Sequence, residues 1–117
     1  MKDGANILRI LKETKRLIES GDANGMKKLS EQTIQSATIS QDADNVIVTV
    51  LVYSIGKIIE REHYRKMEGW DEFYNSLIEN LKNAISCLEK QDIKNCRLYL
   101  GKIRNSLNKI SDDLSRY

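Results

Sequence analysis

The sequence predicts an all-α protein: a five-helix bundle with a central apolar helix and a long C-terminal antiparallel helical hairpin. Three observations carry this. The 117 residues contain no proline, the residue that commonly marks turns and strand edges and breaks helices. Apolar residues recur at intervals of three and four along most of the chain, the period of a helix with one buried face. Ile, Leu and Val are frequent while the net charge is only +2, so a core is affordable and disorder is disfavoured. A chain of this length fits one helical domain over residues 1–117, which on folding buries about two-thirds of its extended surface.

The first helix is expected from about Asn6 to Glu19, with Ile7, Ile10, Leu11, Leu17 and Ile18 on one face. Gly21 suits the left-handed position that closes it, and Asp22 suits the cap of the next helix. That second helix is expected from about Ala23 to Ala37, with Met26, Leu29, Thr33 and Ala37 inward. The stretch Val46–Val52 is rich in β-branched residues, which favour strands. Helix is preferred because Asp42 or Asp44 offers an N-cap and helical spacing continues through Leu51, Ile55, Ile58, Ile59 and Glu62. A lone strand would also have no partner. The third helix is therefore expected from about Asp44 to Arg65. Being apolar on nearly every side, it is expected at the centre with neighbours all round.

From Trp70, the residues Tyr74, Leu77, Leu81, Ala84 and Leu88 follow a heptad, with Ile78 and Ile85 beside them. After a short joint at Gln91 and Asp92 the pattern restarts as Ile93, Cys96, Leu100, Ile103, Leu107, Ile110, Leu114 and Tyr117. Asp92 caps this last helix, about 37 Å long at 1.5 Å per residue, and the short joint makes the pair antiparallel. The heptad is still running at Tyr117. The expectation is either a frayed end or a natural chain that continues.

No apolar segment follows a basic N-terminal region at Met1-Lys2-Asp3-Gly4, so a secretory signal is not expected. The longest apolar run, Val46–Ile59, is broken by Thr49, Tyr53, Ser54, Gly56 and Lys57 and is too short to span a bilayer. A cytoplasmic location is expected, with no membrane partner and with Cys87 and Cys96 reduced. Lying either side of the joint, these two come near each other; helix axes 8–10 Å apart make a disulfide difficult, so the simpler reading is two small core residues.

Motifs for chemistry are sparse. Glu60 and His63 stand at the Glu-x-x-His spacing of di-iron bundles, but one chain supplies a single such pair, and the charged residues around it read as a solvated helix end. Neither a glycine-rich phosphate loop nor a nucleophile beside a histidine is evident. No enzyme, cofactor or small-molecule substrate is expected. A metal or redox protein is the third reading of function.

Charge is unevenly spread. Residues 31–56 contain no basic group. On the first helix Arg9, Lys12 and Arg16 line up; on the last, Lys102, Lys109 and Arg116 form one stripe and Arg97 and Arg104 another. Such stripes offer contacts to phosphates, so a nucleic-acid-associated protein is the second reading. Against it stand the low net charge and the lack of interleaved aromatics. Trp70 and Phe73 cluster with Tyr74, and Leu98 falls opposite the heptad seam with Tyr99 and Gly101 beside it. A glycine inside a helix costs about 1 kcal/mol relative to alanine, which suggests a close backbone approach at Gly101. Trp70, Phe73, Leu98, Tyr99 and Gly101 are therefore the candidate partner surface. The first reading is a non-enzymatic interaction or oligomerisation module, taking a second copy or another protein and serving as part of a regulator.

Two stretches carry a resemblance. Leu29-Ser30-Glu31-Gln32-Thr33-Ile34-Gln35-Ser36-Ala37, continuing through Gln41-Asp42 into Val50-Leu51-Val52-Tyr53-Ser54, and Met67-Glu68-Gly69-Trp70-Asp71-Glu72-Phe73-Tyr74 are similar to uncharacterised small all-helical proteins of archaea. The resemblance covers most of the chain and includes no catalytic motif. It implies an N-terminal helical module that in longer members precedes a helix-turn-helix-like segment.

Overall fold

A computed structural model describes residues 1–39, 42–61 and 65–115, with side chains except at 38, 39 and 112–115. Five helices follow in order: α1 (Gly4–Ser20), α2 (Ala23–Ile39), α3 (Ala43–Glu60), α4 (Trp70–Glu89) and α5 (Ile93–Ser115). No strand occurs among the described residues. The chain divides into two compact units, residues 1–61 and 62–117.

In the first unit α1, α2 and α3 all touch one another, and α2 and α3 share the longest seam. Its core is Ile7, Ile10, Leu11, Leu17 and Ile18 from α1, Met26 and Leu29 from α2, and Val48, Leu51, Val52, Ile55, Ile58 and Ile59 from α3. Two buried threonines return their hydroxyls to their own helix: Thr14 donates to the Ile10 carbonyl at 2.7 Å and Thr33 to the Leu29 carbonyl at 2.6 Å. Buried donors need such partners, because an unmade hydrogen bond costs more than a made one contributes.

The start of α3 is tied to the first residues of the chain. The Asp42 carboxylate accepts from the Asp44 amide at 3.1 Å, which makes it the N-cap, and also from the Lys2 and Asp3 amides. Asn45, buried, donates its side-chain amide to Asp3. The Met1 ammonium lies 3.7 Å from the carboxylate of buried Asp44. At its other end α3 stops at Glu60, five residues before the expected Arg65. Arg61 is extended, and its amide closes the helix on the Ile58 carbonyl.

In the second unit α4 and α5 pack along each other as the expected hairpin. Phe73, Leu77, Leu81, Ala84, Ile85 and Leu88 face Cys96, Leu100, Ile103, Leu107 and Ile110 across a dry seam of buried residues. The seam enters α4 through Phe73 rather than through Trp70 and Tyr74, which are only half-buried. Cys96 is buried and Cys87 half-buried, and no disulfide joins them.

One joint serves both hairpins. Gly21, at φ 68°, donates to the Ile18 carbonyl while Asp22 donates to Leu17. Gln91, at φ 60°, donates to Leu88 while Asp92 donates to Cys87. Each is a Schellman closure with a left-handed residue at C′. In each the following aspartate opens the next helix: Asp22 accepts from the Gly25 amide at 2.8 Å and Asp92 from the Asn95 amide at 3.2 Å. A Cβ on Gly25 would come within 2.6 Å of both the Asp22 carboxylate and the end of the Leu17 side chain, so a larger residue there would have to displace those two side chains. The Asn95 side chain also donates to Asp92, and these bonds hold the Asp92 carboxyl below the usual aspartate range.

The two joints differ at the left-handed position, where a side chain is strained. Gln91→Gly is expected to raise stability by about 1 kcal/mol, and Gly21→Ala to lower it by a similar amount; urea melts of the two variants read the opposite signs. Because folding depresses the Asp92 pKa, its contribution is present above about pH 4, the ordinary aspartate value, and fades as pH falls below it. Asp92→Asn, which keeps a capping side chain, is expected to lose less stability than the parent between neutral and acidic pH in the same melts.

Candidate functional site: an uncovered face of α3

Helix α3 is apolar on two sides, and its own unit covers one. Val48, Leu51, Val52, Ile55, Ile58 and Ile59 are buried, whereas Val46, Ile47, Val50 and Tyr53 are 49%, 43%, 56% and 47% exposed. This corrects the expectation of a helix enclosed all round. The uncovered residues recur at three and four, so they form a second stripe on the same helix. Ala43 continues it at one end and Lys57 at the other, both exposed. The Lys57 ammonium lies 5.4 Å from the centre of the Tyr53 ring, a cation–π contact, and 3.8 Å from the Glu60 carboxylate.

Beside the stripe runs a shallow groove between α2 and α3, lined among others by Ser30, Ile34, Tyr53, Gly56 and Lys57. At Gly56 a Cβ would stand 3.9 Å from Met26 and from the Ser30 hydroxyl, an ordinary van der Waals separation. That hydroxyl is buried without a hydrogen-bond partner. Ile34, on α2, is 41% exposed at the groove and extends the apolar surface. Four aliphatic side chains and a tyrosine on neighbouring helix faces form a patch on the order of a few hundred Å², the size at which such patches tend to be functional.

The residues expected to form a partner surface fall in several environments. Phe73 is core, with 8% exposure. Trp70 is half-buried, its ring centre 5.6 Å from that of Phe73 and 6.4 Å from that of Tyr74, so these rings satisfy one another. Leu98 is 53% exposed, and Tyr99 beside it carries the Lys102 ammonium 5.0 Å above its ring. At Gly101 nothing lies within 4 Å of an added Cβ. No neighbouring backbone in the described chain accounts for that glycine.

Among the basic residues, Arg9 donates to Asn6 at 2.9 Å and Arg16 is paired with Glu13, which spends part of the α1 stripe locally. The pairing lowers the Glu13 pKa, chiefly through the hydrogen bond from Arg16. Arg97, Lys102, Arg104 and Lys109 are exposed on α5, and residues 93–111 contain no acidic group. Glu60 is the last residue of α3, and His63 and Arg116 lie outside the described residues. No three of the described His, Cys, Asp and Glu side chains gather where they could hold a metal ion. Among the described residues no helix is long and apolar enough to cross a membrane.

The sequence showed α3 to be apolar on nearly every side, and the expectation that failed was that neighbours cover all of it. The available signal was an excess of apolar positions: residues 45–56 contain no charged side chain, more apolar perimeter than two neighbouring helices cover. No protein family, curated protein or solved structure matches the chain.

Gly101→Ala gains helix propensity and meets nothing, so it is expected to stabilise the protein by about 1 kcal/mol. A urea melt checks this; a loss of stability would reveal a contact at that position.

Proposed function

We propose that the chain is a non-enzymatic interaction or oligomerisation module, with the exposed stripe of α3 as its main docking surface. The observation that carries this reading is the half-exposure of Val46, Ile47, Val50 and Tyr53 on one uncharged helix face. Apolar area left in water forfeits about 25 cal/mol per Å², and aromatic and aliphatic anchors at helical spacing are what helix-mediated recognition uses. Ile34 and the groove at Gly56 widen the surface to two helices. The reading sets the module in the cytoplasm, where Cys87 and Cys96 remain thiols. A place in a regulator is part of the same proposal.

A second reading, a nucleic-acid-associated protein, is favoured by the outer face of α5. Lys94, Arg97, Lys102, Arg104 and Lys109 are exposed there with asparagines between them and no acidic group. Phosphate contacts are strongest at low salt, so gel shifts at about 50 mM salt separate this reading from the first.

The first reading is tested with Val46→Glu/Ile47→Glu, a double variant confined to exposed positions. The parent chain is expected to self-associate by light scattering or to retain a protein from host extract. The variant is expected to lose either property while keeping its helical circular dichroism. A parent that stays monomeric at about 100 μM, far above a micromolar dissociation constant, and retains nothing overturns the reading.

A further inference from the structure

We propose that the outer face of α5 lies in the major groove of duplex DNA, with cations on both rims of the face meeting phosphates and the stripe between them meeting base edges. This deepens the nucleic-acid reading and rests on it. At about 3.6 residues per turn, Lys94, Leu98, Gly101, Asn105 and Asn108 form one stripe opposite the buried seam of Cys96, Leu100, Ile103, Leu107 and Ile110. Arg97 and Arg104 border the stripe on one side, Lys102 and Lys109 on the other, and stripe and borders are all exposed. Residues 93–111 contain no acidic group, and this run ends where Asp112 and Asp113 follow. Among the described residues no carboxylate is paired with Lys94, Lys102 or Arg104. Lys109 shares a small hollow with Glu68 and Glu72, so it adds least to the field of the face.

Unpaired cations call for an anionic partner, and the order of side chains across the face selects which one. An acidic partner helix would need an apolar stripe between the charged borders, and of the central residues only Leu98 is apolar. A lipid surface needs the same apolar stripe. Single strands are held by stacking bases on aromatic rings. The one aromatic residue of positions 93–111, Tyr99, is half-buried with the Lys102 ammonium over its ring. The major groove of duplex RNA is too deep and narrow for a helix. The major groove of DNA, about 12 Å wide, admits one. Its floor offers adenine N6 and N7 to an asparagine such as Asn105 or Asn108, and thymine methyls to an apolar group such as Leu98. Phosphates line both rims, where Arg97 and Arg104 meet one strand and Lys102 and Lys109 the other. Gly101 stands in the middle of the stripe, and nothing in its own chain lies within 4 Å of an added Cβ. A glycine there lets the helix backbone sit deep in the groove.

Fluorescence anisotropy of the full chain with a duplex DNA of about 20 base pairs is expected to give a dissociation constant on the order of micromolar at about 50 mM salt. Phosphate contacts from Arg97, Lys102, Arg104 and Lys109 set a slope of about −3.6 for log K against log salt. Arg97→Ala/Arg104→Ala is expected to bring that slope to about −1.8. Asn105→Ala/Asn108→Ala, which removes base contacts and no charge, is expected to weaken binding and keep the slope. Gly101→Leu adds bulk only on the groove side, so it is expected to weaken duplex binding at least about tenfold with no loss of stability in a urea melt. A single strand, duplex RNA of the same length and polyglutamate are expected to bind more weakly than duplex DNA. Gly101→Leu or the asparagine double variant binding like the parent overturns the groove proposal, as does a single strand or duplex RNA bound more tightly than duplex DNA. Each of these results leaves the nucleic-acid reading standing. Tighter binding of polyglutamate overturns the proposal in favour of an acidic protein, and a chain that binds no nucleic acid at about 50 mM salt removes the proposal and that reading together.

Discussion

The organising constraint of the first unit is that α3 has more apolar perimeter than its neighbours cover. A helix offers apolar side chains to as many sides as its sequence dictates, but each packed neighbour shields only one strip of it. In residues 1–61 those neighbours are α1 and α2. They meet Val48, Leu51, Val52, Ile55, Ile58 and Ile59, and Val46, Ile47, Val50 and Tyr53 are left in water. On α2, Met26 and Ser30 are the side chains that lie next to Gly56 of α3.

Both units share a way of turning. Each hairpin joint uses one left-handed residue and one aspartate, so the carbonyls ending one helix and the amides starting the next are satisfied within a few residues. Such joints are local and cheap in loop entropy. The first unit has glycine at the strained position, whereas the second has Gln91 and accepts the cost. The extensive α4–α5 seam, from Phe73 to Ile110, is the packing that offsets it.

The two candidate surfaces differ in kind. The α3 stripe is uncharged and rich in β-branched residues, and its energetics are those of removing apolar area from water. The outer face of α5 is cationic, and its interactions would weaken with salt. Leu98 is the exception on that face, an exposed apolar group among lysines and arginines. Gly101, close to it, has open space around its backbone.

Much of the architecture was legible in one dimension. Spacing of three and four located all five helices, and Gly21, Asp22, Asp42 and Asp92 marked ends where the structure places caps. These features are local: a left-handed turn or an N-cap depends on a few adjacent residues. The end of α3 at Glu60, the burial of Phe73 and the empty surroundings of Gly101 were not legible, because each depends on what lies next to the residue in space. The α3 stripe shows the division most plainly. The sequence by itself determined that Val46, Ile47, Val50 and Tyr53 lie on a helix; only the tertiary structure decided that they face solvent, since periodicity records which side chains are apolar and packing records how many neighbours there are to cover them.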